Sequence, residues 1–390
     1  MKKAIALLAA IGGGVLIAWI AGSRALSGKT LVTNWPARDF ARQFPDRDEN
    51  ESGTRLLATV ERFGDDLAKA RPAMSEYIRH EGTPPPFLGQ HANTIRTLRA
   101  QIVSNPPPVW ALQINDILEP PTPPFGTAME LFTLFGADAL AHRSEAAAWA
   151  DLHAAWILAR SLWDRPEPMS VMIAMSGTRV VAAVATKLQP PIPAWWSETA
   201  AFDVRPPLLR SIEYEAWAIR VRADRYPVGE SDGSRFDDAI RRVVAPLFRP
   251  IRAAQASIAI GRLQKTVTAA THADPCEPLV VAEAPDWAAF VRRFNRFRIE
   301  REGVDKLLTL RSGGMFSAAS QCKSGGWTYD GATLAFHGAL PPQTSRMTII
   351  PLRYDAPLTR RSAPPSPSGE GGRRPGEGRS SRRSTHSDHR

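Results

Sequence analysis

The chain has 390 residues, of which 43% are hydrophobic, and its formal net charge is +10 at pH 7. This composition can bury a sizeable core and excludes a protein that is disordered throughout. Much of the excess positive charge comes from arginines in residues 356–390, so the basic pI does not indicate a nucleic-acid-binding protein. No nucleic-acid partner is expected. Arginine greatly outnumbers lysine, which is typical of a bacterial gene of high GC content.

The N-terminus carries two lysines followed by an uncharged, apolar run from Ala4 to Ser23. About 20 helical residues, at ~1.5 Å each, span the ~30 Å hydrocarbon core of a bilayer. Residues 1–23 are therefore predicted to be a transmembrane anchor. The alternative is a cleaved signal peptide, because Ala21-Gly22-Ser23 offers small residues at a cleavage position. In either case the body is expected to be exported. With a retained anchor, we expect a single-pass protein of the bacterial inner membrane, with its body facing the periplasm or the outside.

Clusters of proline divide the next part of the chain into helical segments. Proline lacks a backbone N–H and disfavours helix in the residue before it, so runs such as Pro84-Pro85-Pro86 are expected to be connectors. Apolar residues at helical spacing predict helices between these runs. The predicted helices cover residues 50–70, 127–162, 208–219, 251–270 and 286–310. We expect residues 24–310 to form a helical extracytoplasmic domain.

A second apolar run, from Met169 to Lys187, contains Arg179 in its middle. An arginine at the centre of a bilayer costs about 2.5–3.5 kcal/mol on insertion scales. We therefore predict a buried helix of the body rather than a second membrane span.

The pattern changes to β-structure after Arg311. Two short runs, 327–329 and 332–336, flank Asp330-Gly331, which suits the positive φ angles of a type I′ turn and predicts a hairpin. Residues 347–354 are a candidate third strand. The predicted fold class is therefore mainly α, with a small β-containing segment over residues 311–355 packed on the helical domain. Residues 356–390, rich in Ser, Pro, Gly and Arg, are predicted to be a disordered basic tail.

Three short motifs imitate known sites but lack the context that those sites need. Gly229–Gly233 matches the G-x-S-x-G nucleophile elbow, but a charged segment precedes it instead of a buried strand. Residues 22–30 end like a P-loop, but the glycine spacing is wrong and no strand precedes them. Residues 46–57 open like a calcium loop, but Glu51 replaces the required glycine and Leu57 the bidentate glutamate. An acidic loop that caps the next helix is the simpler interpretation. No catalytic, cofactor-binding or metal-binding residue is predicted from these motifs.

Polar and aromatic residues of the predicted 127–162 helix form two further patterns. His142 and His153 lie about 16 Å apart along a helix axis, so one metal ion cannot bind both. A polar face is the expectation, although a partner helix could complete a site with His142 and Glu145. Trp149, Trp156 and Trp163 recur at heptad spacing, which predicts core packing, with an aromatic ligand groove as the alternative.

The predicted 286–310 helix carries five positively charged arginines: Arg292, Arg293, Arg296, Arg298 and Arg301. A solvated face is the simplest interpretation. Contact with anionic lipid head groups is the functional alternative.

Cys276 and Cys322 are the only cysteines. Cysteine pairs of exported proteins tend to be bonded, and both residues fall in irregular segments that can adapt to disulfide geometry. A Cys276–Cys322 disulfide is therefore a candidate, and two separate buried thiols are the alternative.

Several segments together are similar to a group of uncharacterised, membrane-anchored helical proteins of bacterial envelopes. They are Ala148–Leu188, Trp195-Trp196, Leu208-Leu209-Arg210, Glu213–Trp217 and Cys322–Gly331. The resemblance covers roughly residues 50–340 and implies no assigned activity. We expect a non-enzymatic, membrane-tethered domain that binds an envelope protein partner or supports an assembly. The alternative is an envelope hydrolase or ligand-binding enzyme whose site is assembled from distant residues, with His142, Glu145 and Glu215 as the first candidates.

Overall fold

A computed structural model describes residues 35–36, 38–114, 124–142, 144–225, 235–272, 274–276, 285–340 and 350–355. The predicted anchor and the predicted basic tail lie outside these residues. The described part is mainly helical and carries one small antiparallel sheet, which confirms the predicted fold class at this level.

Twelve α-helices lie in the described part of the chain. They are α1 (Phe40–Gln43), α2 (Glu51–Val60), α3 (Asp66–His80), α4 (Pro86–Gln90), α5 (Ala92–Ser104), α6 (Phe125–Ala141), α7 (Glu145–Trp163), α8 (Pro168–Ala185), α9 (Trp196–Ala201), α10 (Arg205–Arg225), α11 (Arg235–His272) and α12 (Pro285–Arg311). One turn of 3₁₀-helix, Glu61–Phe63, follows α2.

Helices α6, α7 and α8 pack against one another and form the centre of the main core. The tryptophan stripe of α7 belongs to this core, since Trp149, Trp156 and Trp163 are each at most 3% exposed. The indole of Trp163 donates a hydrogen bond of 3.0 Å to Thr178 Oγ1 on α8. Core packing, and not an open aromatic groove, is therefore the structural role of the stripe.

The prediction of one helix over residues 127–162 is wrong. Helix α6 ends at Ala141, and α7 begins at Glu145. His142 and Ser144 have extended backbones, with ψ angles of 142° and 121°, so the chain turns between the two helices. The alanine-rich pattern conceals this break because only a few polar residues mark it. The turn allows α7 to fold back against α6.

Helix α8 is the predicted buried helix. Among the described residues it alone has the length and hydropathy to cross a membrane, and most of it is buried within the protein. Arg179 forms a buried ion pair with Glu300 of α12 at 2.6 Å, and Arg296 donates a hydrogen bond of 2.8 Å to the same carboxylate. Burial is the main cause that raises the pKa of Glu300 and lowers the pKa of Arg179.

The arginine-rich helix α12 is therefore not a simple solvated face. Arg301 is only 7% exposed, and its Nη2 donates hydrogen bonds to the carbonyls of Thr199, Ala200 and Phe202. These carbonyls lie at the C-terminal end of α9, where a cation is favourable. The prediction missed this role because the partners lie about 100 residues away in sequence.

The sheet consists of β1 (Gly326–Tyr329), β2 (Thr333–His337) and β3 (Arg353–Asp355), paired in that order. The predicted hairpin is confirmed, with Tyr329 opposite Leu334. A third strand is present, but β3 overlaps the candidate segment 347–354 only at residues 353 and 354. The predicted type I′ turn is wrong. Only Gly331 has a positive φ, of 87°, while the Asp330 side chain accepts hydrogen bonds from the N–H groups of Ala332 and Thr333.

A disulfide joins Cys276, which lies before α12, to Cys322, which lies before β1. Both residues are buried, and their Cα atoms are 5.5 Å apart. Asp274 organises the two loops, because its carboxylate accepts hydrogen bonds from the N–H groups of Cys276, Lys323 and Ser324. The disulfide belongs to a small second core between the sheet and α12.

Candidate functional site

Four charged side chains converge at the turn between α6 and α7. Asp138 lies on the last turn of α6, and His142 follows that helix directly. Asp151 extends from α7 and Arg99 from α5. The turn at His142 positions the imidazole over both carboxylates. We call these four residues the α6–α7 junction cluster.

The distances within the junction cluster are those of direct contact. His142 Nε2 lies 2.9 Å from Asp151 Oδ2 and 3.2 Å from Asp138 Oδ2. Arg99 Nη1 lies 2.9 Å from Asp151 Oδ1 and 3.2 Å from His142 Nε2. The side chain of Asp151 is fully buried, whereas that of His142 is 30% exposed. The cluster is therefore closed at Asp151 and open to solvent at His142.

Electrostatics in the cluster favour a charged imidazole. Hydrogen bonding to Asp138 and then to Asp151 raises the pKa of His142 to about 9, against the opposing effect of burial. Burial raises the pKa of Asp151 to about 6, although His142 and Arg99 favour its ionised form. In the fully ionised state, two cations and two anions balance one another. A neutral ion network of this kind holds α5, α6 and α7 together.

The same atoms are of the types that bind metal ions. His142 Nε2 and one carboxylate oxygen from each of Asp138 and Asp151 all lie within 4.8 Å of one another. Asp151 Oδ2 is buried and faces the imidazole, with His142 Nε2 2.9 Å away. Asp274, Cys276 and Cys322 form another close group, but both sulfur atoms are in the disulfide.

The residues singled out from the sequence do not form one site. Glu145 accepts a hydrogen bond of 3.1 Å from the N–H of Gln189. His153 stacks on Trp195 with ring centroids 4.8 Å apart, and burial lowers its pKa. Glu215 lies on α10 with Arg222 at 3.9 Å, and burial raises its pKa. Of the first candidates, only His142 lies in the junction cluster.

Sequence reasoning missed Arg99, Asp138 and Asp151. The spacing of Asp138 and His142 is i, i+4, which places two side chains next to each other on a helix and was a usable signal. Asp151 and Arg99 come from other helices, and no local pattern connects them to His142.

A polar cavity of about 280 Å³ lies beside α12, near the connection between α9 and α10. Its charged lining residues are Asp203, Arg205, Arg298, Arg301, Glu302 and Asp305. Arg301 Nη1 and Asp305 Oδ1 are buried and lack hydrogen-bond partners in the described part of the chain. Burial raises the pKa of Asp305 to about 6, while Arg301 and a hydrogen bond from Trp196 oppose that rise.

The structure describes only one of the three short motifs that resemble known sites. Residues 22–30 and Gly229–Gly233 lie outside the described residues. The acidic loop has structural contacts: Asp46 Oδ1 accepts a hydrogen bond from the N–H of Ile114, and Asn50 Oδ1 accepts one from the N–H of Gly53. Asn50 is therefore the N-cap of α2, as predicted.

Comparisons of the chain with protein-family models, with curated proteins and with solved structures found no match.

Proposed function

We propose that this protein is a membrane-tethered helical domain that acts outside the bacterial cytoplasm as a binding or structural component of the envelope. Its partners would be the membrane, through the N-terminal apolar segment, and another envelope component. The Cys276–Cys322 bond is the observation on which this proposal rests.

The disulfide supports an exported body because it uses both cysteines of the chain and is buried. Disulfides persist in oxidising compartments and are rare in the bacterial cytoplasm. The uncharged run from Ala4 to Ser23 supplies a segment that could direct export. The two observations are independent, since one concerns the N-terminus and the other the C-terminal part of the body.

The polar cavity supports a binding role. Arg301 Nη1 needs an acceptor and Asp305 Oδ1 needs a donor, and a polar solute or partner side chain in the cavity would supply both. For the alternative, an envelope hydrolase, His142 would have to activate a nucleophile. The described contacts of His142 Nε2 are Asp138, Asp151 and Arg99, which favour an ion network over a nucleophile–base pair.

Reporter fusions test the localisation. Alkaline phosphatase joined after Asp355 should be active in cells, because that enzyme needs an oxidising compartment to form its disulfides. A matched fusion lacking residues 4–23 should be inactive. Activity of a cytoplasmic reporter at the same position of the full chain would contradict the proposal.

Carbonate extraction distinguishes an anchor from a cleaved signal. A retained helix should keep the protein in the membrane pellet after a high-pH wash. Release of the protein with a mature N-terminus near residue 24 would identify a signal peptide, and the tethered form of the proposal would then be wrong.

A further inference from the structure

We propose that Asp138, His142 and Asp151 bind a first-row divalent metal cation, of which Zn²⁺ and Mn²⁺ are the representative probes. The inference goes beyond the proposed envelope role and does not depend on where the body is located. It rests on the geometry of three ligand atoms and on one buried carboxylate oxygen.

The separations between the three ligand atoms suit one metal ion. Nitrogen and oxygen ligands bind zinc at about 2.0–2.2 Å, so neighbouring ligand atoms of one ion lie about 3.0–3.5 Å apart. His142 Nε2 lies 3.2 Å from Asp138 Oδ2 and 2.9 Å from Asp151 Oδ2. A cation between these atoms takes the place of the Nε2 proton, which is released to solvent, and needs only small side-chain shifts.

Asp151 is the residue that points to a ligand. Its side chain is fully buried, and Arg99 Nη1 occupies only one of its oxygens, at 2.9 Å from Oδ1. Oδ2 faces His142 Nε2 at 2.9 Å, so a cation bound by the imidazole would also reach this oxygen. Carboxylates that bind metals commonly have their second oxygen held by a neighbouring donor, and Arg99 supplies such a donor. A buried oxygen with this support is oriented for a cation.

The ligand types select the class of metal. One imidazole and two carboxylates suit zinc, manganese or iron, whereas Ca²⁺ prefers six to eight oxygens and Mg²⁺ retains several waters in octahedral geometry. The 30% exposure of His142 leaves room for water on the solvent side. The site would thus hold three protein ligands and keep at least one position for a solvent molecule.

Arg99 limits the affinity. Its Nη1 lies 3.2 Å from His142 Nε2, so a positive charge borders the proposed cation. Repulsion between like charges at this range is substantial even in a polar environment. We therefore expect dissociation constants on the order of micromolar for Zn²⁺, weaker than those of structural zinc sites.

The test uses the full oxidised chain in detergent. His386 and His389 of the tail are another place where zinc could bind, so the reference protein carries His386→Gln and His389→Gln. Calorimetric titration with Zn²⁺ and with Mn²⁺ should give one equivalent, and Mg²⁺ should give no resolved binding. Co²⁺ bound at the same site should produce a visible absorption band that Zn²⁺ abolishes.

Two substitutions and one control assign the site. His142→Gln and Asp138→Asn should each weaken Zn²⁺ binding at least tenfold. Asp138→Asn keeps the size of its side chain, and the side chain of His142 is 30% exposed, so these variants should fold. His80→Gln should leave binding unchanged. His80 is a matched control because it also lies four residues after a carboxylate, with Nε2 3.3 Å from Glu76, but on the exposed face of α3.

Two outcomes would overturn the proposal. One is the absence of Zn²⁺ and Mn²⁺ binding below 1 mM in the reference protein, and the cluster would then be an ion network alone. The other is binding that persists in both His142→Gln and Asp138→Asn. If one of these variants fails to fold by circular dichroism, the other variant and the Co²⁺ spectrum of the reference protein decide the question.

Discussion

Gly303 on α12 lies directly against the indole ring of Trp327 on β1. A Cβ atom placed on Gly303 would overlap Trp327 Cη2 and lie 2.7 Å from Cζ2. Trp327 is only 1% exposed and belongs to the second core together with the disulfide. The absence of a side chain at position 303 therefore determines how closely the sheet packs on the helix.

Gly303→Ala should destabilise the protein because the buried indole has no free space to move into. Overpacking of a core costs typically about 1–3 kcal/mol, which exceeds the small gain from replacing glycine in a helix. Gly261→Ala on α11 is the matched control. A Cβ at Gly261 meets nothing within 4 Å, so that variant should be more stable by about 0.5–1 kcal/mol. Chemical denaturation measures both, and an equal response of the two variants would contradict the packing account.

Thr178→Val should reveal the hydrogen bond that holds the tryptophan stripe. The substitution preserves the shape of the side chain but removes the acceptor of the Trp163 indole N–H, which is fully buried. A buried donor without a partner costs about 1–3 kcal/mol of unfolding free energy. Thr97→Val on α5 is the control. The hydroxyls of Thr97 and Thr178 each donate a hydrogen bond to the carbonyl four residues earlier, but that of Thr97 is exposed. A loss below 0.5 kcal/mol in Thr178→Val would show that the bond contributes little.

Asp305 should make stability depend on pH. Its pKa in the folded protein, about 6, lies above its ordinary value of 3.8, and burial is the main cause. Asp305 therefore binds a proton more tightly in the folded state than in the unfolded state. Its ionisation lowers the free energy of unfolding as pH rises from about 4 to about 6. The effect is at most about 3 kcal/mol. Asp305→Asn should match the original protein at pH 4 and exceed its unfolding free energy at pH 7. The same pH profile in both proteins would argue against a raised pKa.

Removal of the disulfide should destabilise the second core. The bond closes a loop with a sequence separation of 46, which corresponds to about 4 kcal/mol in the chain-entropy model. Cys276→Ala/Cys322→Ala should therefore melt at a clearly lower temperature than the oxidised chain. A thiol-free reductant should lower the melting temperature of the original protein and leave that of the double variant unchanged. A reductant-insensitive melting temperature of the original protein would contradict the prediction.

The sequence predicted helices and the hairpin because both depend on local patterns. Apolar residues at helical spacing and clusters of proline indicated most of the helical segments, and Asp330-Gly331 indicated the reversal between two strands. The turn type was wrong because the Asp330 side chain binds its own backbone, an alternative that also suits this residue. Short-range chemistry was thus sufficient for the elements but not for every detail of their ends.

The junction cluster could not be predicted in the same way. It exists because the chain breaks at His142, and a few polar residues in an alanine-rich segment are a weak signal for such a break. Arg99 then joins from a helix 52 residues away from Asp151. The pair of Arg179 and Glu300 has the same origin, since only tertiary packing brings α8 and α12 together. Each of these contacts depends on the relative placement of helices, which periodicity does not specify.

The oxidation state of Cys276 and Cys322 inside cells is the sharpest test of the proposed function, because the two cysteines should be bonded only if the body is exported. Intact cells are quenched with acid, free thiols are blocked with a maleimide, and the mass of the intact protein is measured by mass spectrometry. The comparison is between the full chain and a variant lacking residues 4–23, which should remain in the cytoplasm.

We predict that the full chain is unlabelled and bonded, and that the variant without residues 4–23 carries two maleimide labels. The variant controls for bonds that form only after lysis. Two labels on the full chain would contradict the account, because the body would then reside in a reducing compartment.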